Sequence, residues 1–228
     1  MSFVHNDRRS QESANDLSTL SDIARTYFGH PSPRVIFTGI ALAGIARLFV
    51  GSFGGSDLAV IVFSLALVGV VEWVIHKFLL HAPVDSFRET KLRTGSGHRE
   101  HHLDPSNVGW LMLGPADAGV FLVMLMVWNA TWPLLLAWAF GAPFLATYLS
   151  ALLMSYVLLA NYEWTHLLVH TRYRPKLGYY QRLVSHHRLH HYRNEHHWLG
   201  ITSRVGDKAL GTLSRKTDVP LSDTARTL

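Results

Sequence analysis

Long apolar runs are the feature that most constrains this chain. Residues 35–50 and 58–75 each contain only two polar side chains, and a short polar turn joins them. Each run approaches the ~20 residues that a helix needs to cross a bilayer. A third apolar region, residues 117–161, is long enough for two crossings with a turn within 132–143. The sequence therefore predicts an all-α membrane protein with four transmembrane helices.

The distribution of positive charge predicts the orientation of these helices. All of the 21 lysines and arginines except Arg47 fall in the segments that four crossings place on the side of the amino terminus. By the positive-inside rule this side is cytoplasmic, so both termini and residues 82–107 are expected there. Arg47, near the end of the first run, is expected to extend its guanidinium to the opposite interface. A bacterial inner membrane is favoured over the endoplasmic reticulum.

Composition excludes several other classes. The chain is 48% hydrophobic and only 16% charged, which is less charge than a soluble domain usually carries. The basic residues that give the formal net charge of +5 lie in the segments that flank the apolar runs. We therefore expect this charge to contact a membrane surface, and we expect no nucleic acid as a partner of the protein. The absence of cysteine excludes disulfides, thiolate zinc sites and iron–sulfur clusters.

Histidines form four spaced clusters, all in segments expected at the cytoplasmic side. Imidazole suits iron, copper, zinc and nickel, and residues at i, i+3 and i+4 share one face of a helix. The clusters therefore predict a histidine-rich helical cap that binds metal. They contain ten of the fifteen histidines: His76 and His81; His98, His101 and His102; His166 and His170; His187, His190 and His191.

Ten imidazoles are too many for one ion. Two ions would take about five each and leave a position open for dioxygen or water. His76 and His81, five apart, can converge only if the second apolar helix ends or bends between them. Carboxylates are expected to orient the imidazoles, and the candidates are Glu72, Glu100, Glu163 and Glu195. No catalytic residue separate from the metal ligands is predicted, and no role is assigned to His186, His196 or His197.

Three segments are predicted along the chain. Residues 1–34 are polar and contain an amphipathic pattern with Asn15 and Asp16 as its cap, which indicates a helix on the membrane surface or, alternatively, a weakly ordered tail. Residues 35–213 form the four-span histidine-box domain. Residues 214–228 form a polar carboxyl-terminal tail.

The four clusters, in order and spacing, resemble the histidine boxes of the membrane-bound fatty acid hydroxylase and sterol desaturase superfamily. The resemblance covers residues 58–213. The stretch from His186 through Tyr192 to Gly200-Ile201-Thr202-Ser203, followed by Asp207 and Gly211-Thr212, is similar to the fatty acid 2-hydroxylase branch.

This resemblance implies a non-haem di-iron enzyme that uses dioxygen to hydroxylate a fatty acid or acyl lipid near its carboxyl end. It implies two iron ions held by the ten clustered histidines, and zinc can replace iron during purification. No haem, flavin or other cofactor motif is present, so electrons are expected from a separate protein. Two alternatives stay open: a carotenoid or sterol hydroxylase or desaturase of the same superfamily, and a histidine-rich metal-binding protein or transporter. The oligomeric state is not predicted.

Overall fold

The computed structural model describes residues 10–90 and 95–225, and the regular structure within them is helical. The only extended pairing in these ranges is an isolated bridge between Ser13 and Asn107. The α-helices are α1 Leu20–Gly29, α2 Pro31–Leu48, α3 Gly55–Ile75, α4 Phe87–Thr90, α5 Ser96–Leu103, α6 Val108–Leu111, α7 Pro115–Asn129, α8 Pro133–Ala139, α9 Phe144–His170, α10 Gly178–Tyr192 and α11 Val205–Ala209.

Three stretches are long and apolar enough to cross a membrane: Gly55–Leu80, Val108–Ala139 and Phe144–His170. They confirm the prediction of an all-helical protein with membrane-spanning helices. The first predicted run lies mostly in α2, which is not among the three because its two arginines and two prolines lower its mean hydropathy. Four crossings therefore stay a prediction.

The chain divides into two compact units. The apolar unit comprises residues 28–68 and 113–163, and the histidine unit comprises residues 1–27, 69–112 and 164–228. All ten clustered histidines fall in the histidine unit. Both α3 and α9 contribute their first part to the apolar unit and their last part to the histidine unit. The last part of α9 carries His166 and His170, and His76 follows the end of α3.

Within the apolar unit, a buried arginine holds the turn between α2 and α3. Arg47 is 1% exposed, and its guanidinium donates to the Asp57 carboxylate at 2.8 Å and to the Ser150 hydroxyl at 2.7 Å. It also donates to the carbonyls of Val50 and Ser52 in the turn. The expected extension of Arg47 to the interface stays a prediction; in the structure a carboxylate, a hydroxyl and turn carbonyls surround its guanidinium in place of water.

We expect Arg47→Met to destabilise the protein by about 3–5 kcal/mol, because it leaves the Asp57 carboxylate without its cation. This loss would lower the unfolding temperature in detergent by about 10 °C for a chain of this size. Arg34→Met is the matched control, since Arg34 lies on the same helix but is exposed. Equal unfolding temperatures for the two variants would contradict this role.

The amino-terminal helix packs inside the histidine unit. Thr19 and Asp22 cap α1 through reciprocal hydrogen bonds, whereas the predicted cap, Asn15 and Asp16, belongs to a separate 3-10 turn. Ile23 and Tyr27 are buried in a core that includes Leu111, Leu167, Val169 and Leu183. The face that the amphipathic pattern assigned to the membrane thus covers protein, while Leu20 and Phe28 are exposed.

Candidate metal centre

The structure brings the ten clustered histidines together as two groups of five. Within each group, one ring nitrogen from every member lies within 4.8 Å of all the others. The first histidine group is His76, His81, His98, His102 and His190. The second histidine group is His101, His166, His170, His187 and His191.

A widened helical turn places the first cluster. Helix α3 ends at Ile75 and continues as a π-helical turn, His76–Leu80, which the His81 amide closes by donating to the His76 carbonyl at 3.0 Å. An i→i+5 turn brings residues five apart onto the same side. The predicted bend is therefore present, and it allows two histidines with the His-x4-His spacing to point to the same side.

The other three clusters lie on helices, and two of these helices serve both groups. On α5, His98 and His102 are four apart and join the first group, whereas His101 joins the second. On α10, His187 and His191 join the second group, whereas His190 joins the first. A His-x-x-His-His box is therefore divided between the two groups.

The spacing of the ring nitrogens matches that of ligands around one ion. Two nitrogens at right angles and ~2.1 Å from a metal lie about 3.0 Å apart. In the first group the Nε2 atom of His98 lies 3.0 Å from that of His76 and 3.2 Å from those of His81 and His102. In the second group, the Nε2 atom of His191 lies 3.0 Å from those of His101 and His187.

Backbone carbonyls orient one imidazole in each of three boxes. The Nδ1–H groups of His76, His166 and His190 donate to the carbonyls of Leu199, Leu111 and His197, respectively. These bonds assign the proton to Nδ1 and leave the Nε2 lone pair directed at the group.

The rings are also held neutral. Burial, with further contributions from neighbouring histidines, holds the pKa of His81, His98 and His101 well below the usual 6.5. The same causes depress the pKa of His187 and His191, and burial lowers that of His102 to about 3. Neutral imidazole is the form that binds metal. Five converging lone pairs repel one another, and a shared cation removes this repulsion, so each group fits a metal ion.

A loop that carries the Leu199 carbonyl is held from both sides by buried carboxylates. Asp207 accepts hydrogen bonds from the Leu199 and Gly200 amides, both at 2.8 Å. Glu72 accepts from the Ile201 and Thr202 amides and from the Thr202 hydroxyl. Because four successive residues are fixed, the Leu199 carbonyl is held in place for His76.

Asp207 also fixes two side chains. It accepts from the Thr212 hydroxyl at 2.5 Å, and its carboxylate lies 2.8 Å from the His186 Nε2 atom. Burial raises the pKa of this carboxyl, but the hydrogen bonds from the His186 ring, the Thr212 hydroxyl and the Gly200 amide outweigh it and lower the pKa to about 2. Asp207 is thus an ionised centre of a buried hydrogen-bond network.

Three of the four carboxylates predicted to orient imidazoles accept hydrogen bonds from groups other than imidazoles in this structure. Glu72 holds the 201–202 loop, and Glu163 accepts from the Ser32 hydroxyl at 2.5 Å and the Leu113 amide at 2.9 Å. Glu195 accepts from the hydroxyls of Ser222 and Thr224 in the carboxyl-terminal segment. Glu100 is partly exposed on α5.

Sequence reasoning missed the carbonyls and the role of Asp207. His186, left without a role, is the buried partner of Asp207, while His197 contributes its carbonyl to His190. His196 is exposed beside Glu195. The signal available for Asp207 was its place in the segment shared with the fatty acid 2-hydroxylase branch.

Membrane-spanning helices that carry two buried groups of five histidines define a histidine-box membrane protein. The family model for fatty acid hydroxylases matches residues 60–212. A dihydroceramide fatty acyl 2-hydroxylase of Arabidopsis thaliana is 30% identical over 68% of this chain and 60% of its own length. A fatty acid 2-hydroxylase of Macaca fascicularis is 30% identical over 77% of this chain and 43% of its own length. The human fatty acid 2-hydroxylase is 29% identical over 64% of this chain and 37% of its own length.

The chain belongs to the fatty acid hydroxylase family. The resemblance noted from the histidine boxes, including the 2-hydroxylase branch, is thereby confirmed. The chain spans between about two fifths and three fifths of the length of these curated relatives. No solved structure matches it.

Proposed function

We propose that this chain is a membrane-bound hydroxylase that inserts one oxygen atom of dioxygen at carbon 2 of a fatty acyl chain. The observation that carries the proposal is the convergence of ten histidine nitrogens into two groups of five. The names of the relatives support the position of attack.

We assign one iron ion to each histidine group. A neutral donor set made only of imidazoles suits iron and a few other metals, and the family resemblance implies iron. Five protein nitrogens would leave one coordination position of each ion free for dioxygen or water. Zinc binds the same ligands more tightly than ferrous iron, so zinc in a purified sample would not contradict the assignment.

The two ions would supply the activation of dioxygen. In the overall reaction, an acyl C–H bond, dioxygen, two electrons and two protons give a C–OH group and one water. The contribution of the protein is positioning: carbonyls fix the ring tautomers of His76, His166 and His190, and buried side chains keep bulk water from the ligands.

The place of the histidines along the helices supports attack near the carboxyl end. His76 follows the last residue of α3, and His170 is the last residue of α9. Helix ends of membrane spans lie at the headgroup level, so a lipid with its polar head at the interface presents the carbons next to its carbonyl. Its terminal methyl would lie ~15 Å away, half the hydrocarbon thickness.

We further propose four crossings, with α2 as the first and with both termini and the histidine boxes in the cytoplasm. The position of the lysines and arginines supports this orientation. A bacterial inner membrane is the proposed location.

Single cysteines test this topology without background, since the chain has none of its own. Cysteines at Ser18 and Ser185, which are exposed in the structure, should react with an impermeant thiol reagent only from the cytoplasmic side. A cysteine at Ser52, also exposed, should react only from the opposite side. Labelling of Ser52 and Ser185 from the same side would contradict the proposed topology.

Electrons are proposed to come from a separate protein. Two basic segments support this, residues 172–193 and residues 204–216; in the second, Arg204, Lys208, Arg215 and Lys216 are all exposed. Such a basic segment would steer an acidic carrier, an effect that added salt weakens. The same charges also suit anionic lipid headgroups, which is an alternative role for this segment.

Comparison of lipid extracts from cells with and without the expressed protein tests the proposed reaction. We expect 2-hydroxy acyl chains to accumulate only with the protein, and mass spectrometry measures them. Hydroxylated carotenoids or sterols in place of 2-hydroxy acyl chains would overturn the substrate. An unchanged lipid profile with altered metal uptake would favour a transporter.

A further inference from the structure

A cavity in the histidine unit opens directly onto the histidine groups. It has a volume of about 730 Å³, within the range of small-molecule sites. His170, His187 and His191 of the second group line it, together with His102 of the first. Anything bound in this cavity therefore lies next to the proposed metal positions.

The cavity is positively charged. Arg172, Arg174 and Arg188 line it, and no carboxylate or lysine is among its described lining residues. Arg172 and Arg174 belong to the segment that follows α9, whereas Arg188 lies on α10, so the guanidinium groups come from two elements. A guanidinium binds carboxylate and phosphate through paired hydrogen bonds.

The polar character of the cavity continues along α10. Gln181, Val184, Arg188 and Tyr192 all line it and recur at spacings of three or four, so they form one stripe of the helix. Three of these four side chains are polar. An acyl tail would gain little free energy from contact with such a polar surface, whereas a polar head group would form hydrogen bonds with it.

We propose that this cavity binds the anionic head group of the acyl substrate, a phosphate or a carboxylate. The inference rests on the proposed function and adds its substrate class: acyl lipids with a negatively charged head. With the head beside the arginines, the carbonyl end of the chain lies against His170, His187 and His191. Carbon 2 is then the part of the chain nearest to the second histidine group.

Equilibrium binding to the zinc-loaded chain in detergent tests the proposal independently of turnover. The probes are palmitoyl lysophosphatidic acid and monopalmitoylglycerol, which share the acyl ester and differ in the phosphate. We expect the phosphate lipid to bind at least about tenfold more tightly, since hydrogen bonds to charged groups have effects of this size. Arg174→Gln combined with Arg188→Gln should remove this preference.

Arg182→Gln is the matched control, because Arg182 is an exposed arginine of α10 that does not line the cavity. Unchanged metal content and unfolding temperature would show that the double variant is folded. Equal affinity of the wild-type protein for both lipids would overturn the proposal. So would displacement of the phosphate lipid by inorganic phosphate at equal concentration, which indicates a free-phosphate site.

A third result would also overturn the proposal: the double variant keeps the lipid preference but needs more electron donor for half-maximal turnover. The arginines would then serve protein docking. If instead the proposed function is wrong, the protein should show the expected lipid preference in the binding measurement but form no 2-hydroxy acyl chains.

Discussion

Replacing His190 or His101 with alanine is expected to remove one metal ion and to lower turnover at least ~100-fold. His190 belongs to the first histidine group and His101 to the second. Each substitution leaves four imidazoles around one position and five around the other. Metal content of the anaerobically purified protein should fall from about two ions per chain to about one in either variant, since removal even of an outer partner weakens metal binding 10–100-fold.

His196→Ala is the control for both variants. His196 lies next to these clusters in sequence but belongs to neither group and is exposed. It should keep both ions and full turnover. Full turnover in His190→Ala or His101→Ala, or an equal loss in His196→Ala, would contradict the assignment of five ligands to each position.

Asp207→Ala should have the largest combined effect on stability and metal content among residues outside the two histidine groups. It removes the acceptor for the amides of Leu199 and Gly200, the Thr212 hydroxyl and the His186 ring, all of them buried. Leaving a buried donor without a partner costs roughly 1–3 kcal/mol, so we expect the loss of the acceptor for all four donors to cost about 4 kcal/mol or more. Thermal unfolding in detergent, with a decrease of about 10 °C, measures it.

The same variant should also lose metal, because the Leu199 carbonyl that orients His76 is no longer fixed. Asp218→Ala provides the comparison, since Asp218 is exposed in the same part of the chain and should change neither property. An Asp207→Ala protein with wild-type metal content and stability would show that the network does not position the loop.

The sequence predicted which histidines form the candidate metal centre but not how they divide between two groups. Histidine spacing and the absence of cysteine were sufficient to nominate all ten residues. Their division between two groups follows from how α5 and α10 are rotated about their axes, which depends on packing with distant segments. His101 and His102 are neighbours in sequence, yet they join different groups.

Other features could not be predicted because they involve backbone atoms or distant partners. The carbonyls of Leu199, Leu111 and His197 are acceptors that any residue type supplies, so residue identity gives no signal for them. For Arg47, likewise, no neighbouring residue in the sequence indicated that Ser150, more than a hundred residues later, would accept a hydrogen bond from its guanidinium.

Helices could be predicted where a long apolar run of residues requires a membrane-spanning helix. The runs that became α3 and α9 are long and uninterrupted, and the structure places membrane-length helices there. The π-helical turn at His76–Leu80 was predictable only as a bend, because the convergence of His76 and His81 required one.

Growth of cells that express the protein under oxygen-18 gas tests the central claim most directly. The proposal predicts 2-hydroxy acyl chains that carry one oxygen-18 atom in the hydroxyl group, and none in cells that express His187→Ala. Oxygen from water in the hydroxyl group, or an equal yield from His187→Ala, would contradict a dioxygen-dependent hydroxylase built on the two histidine groups.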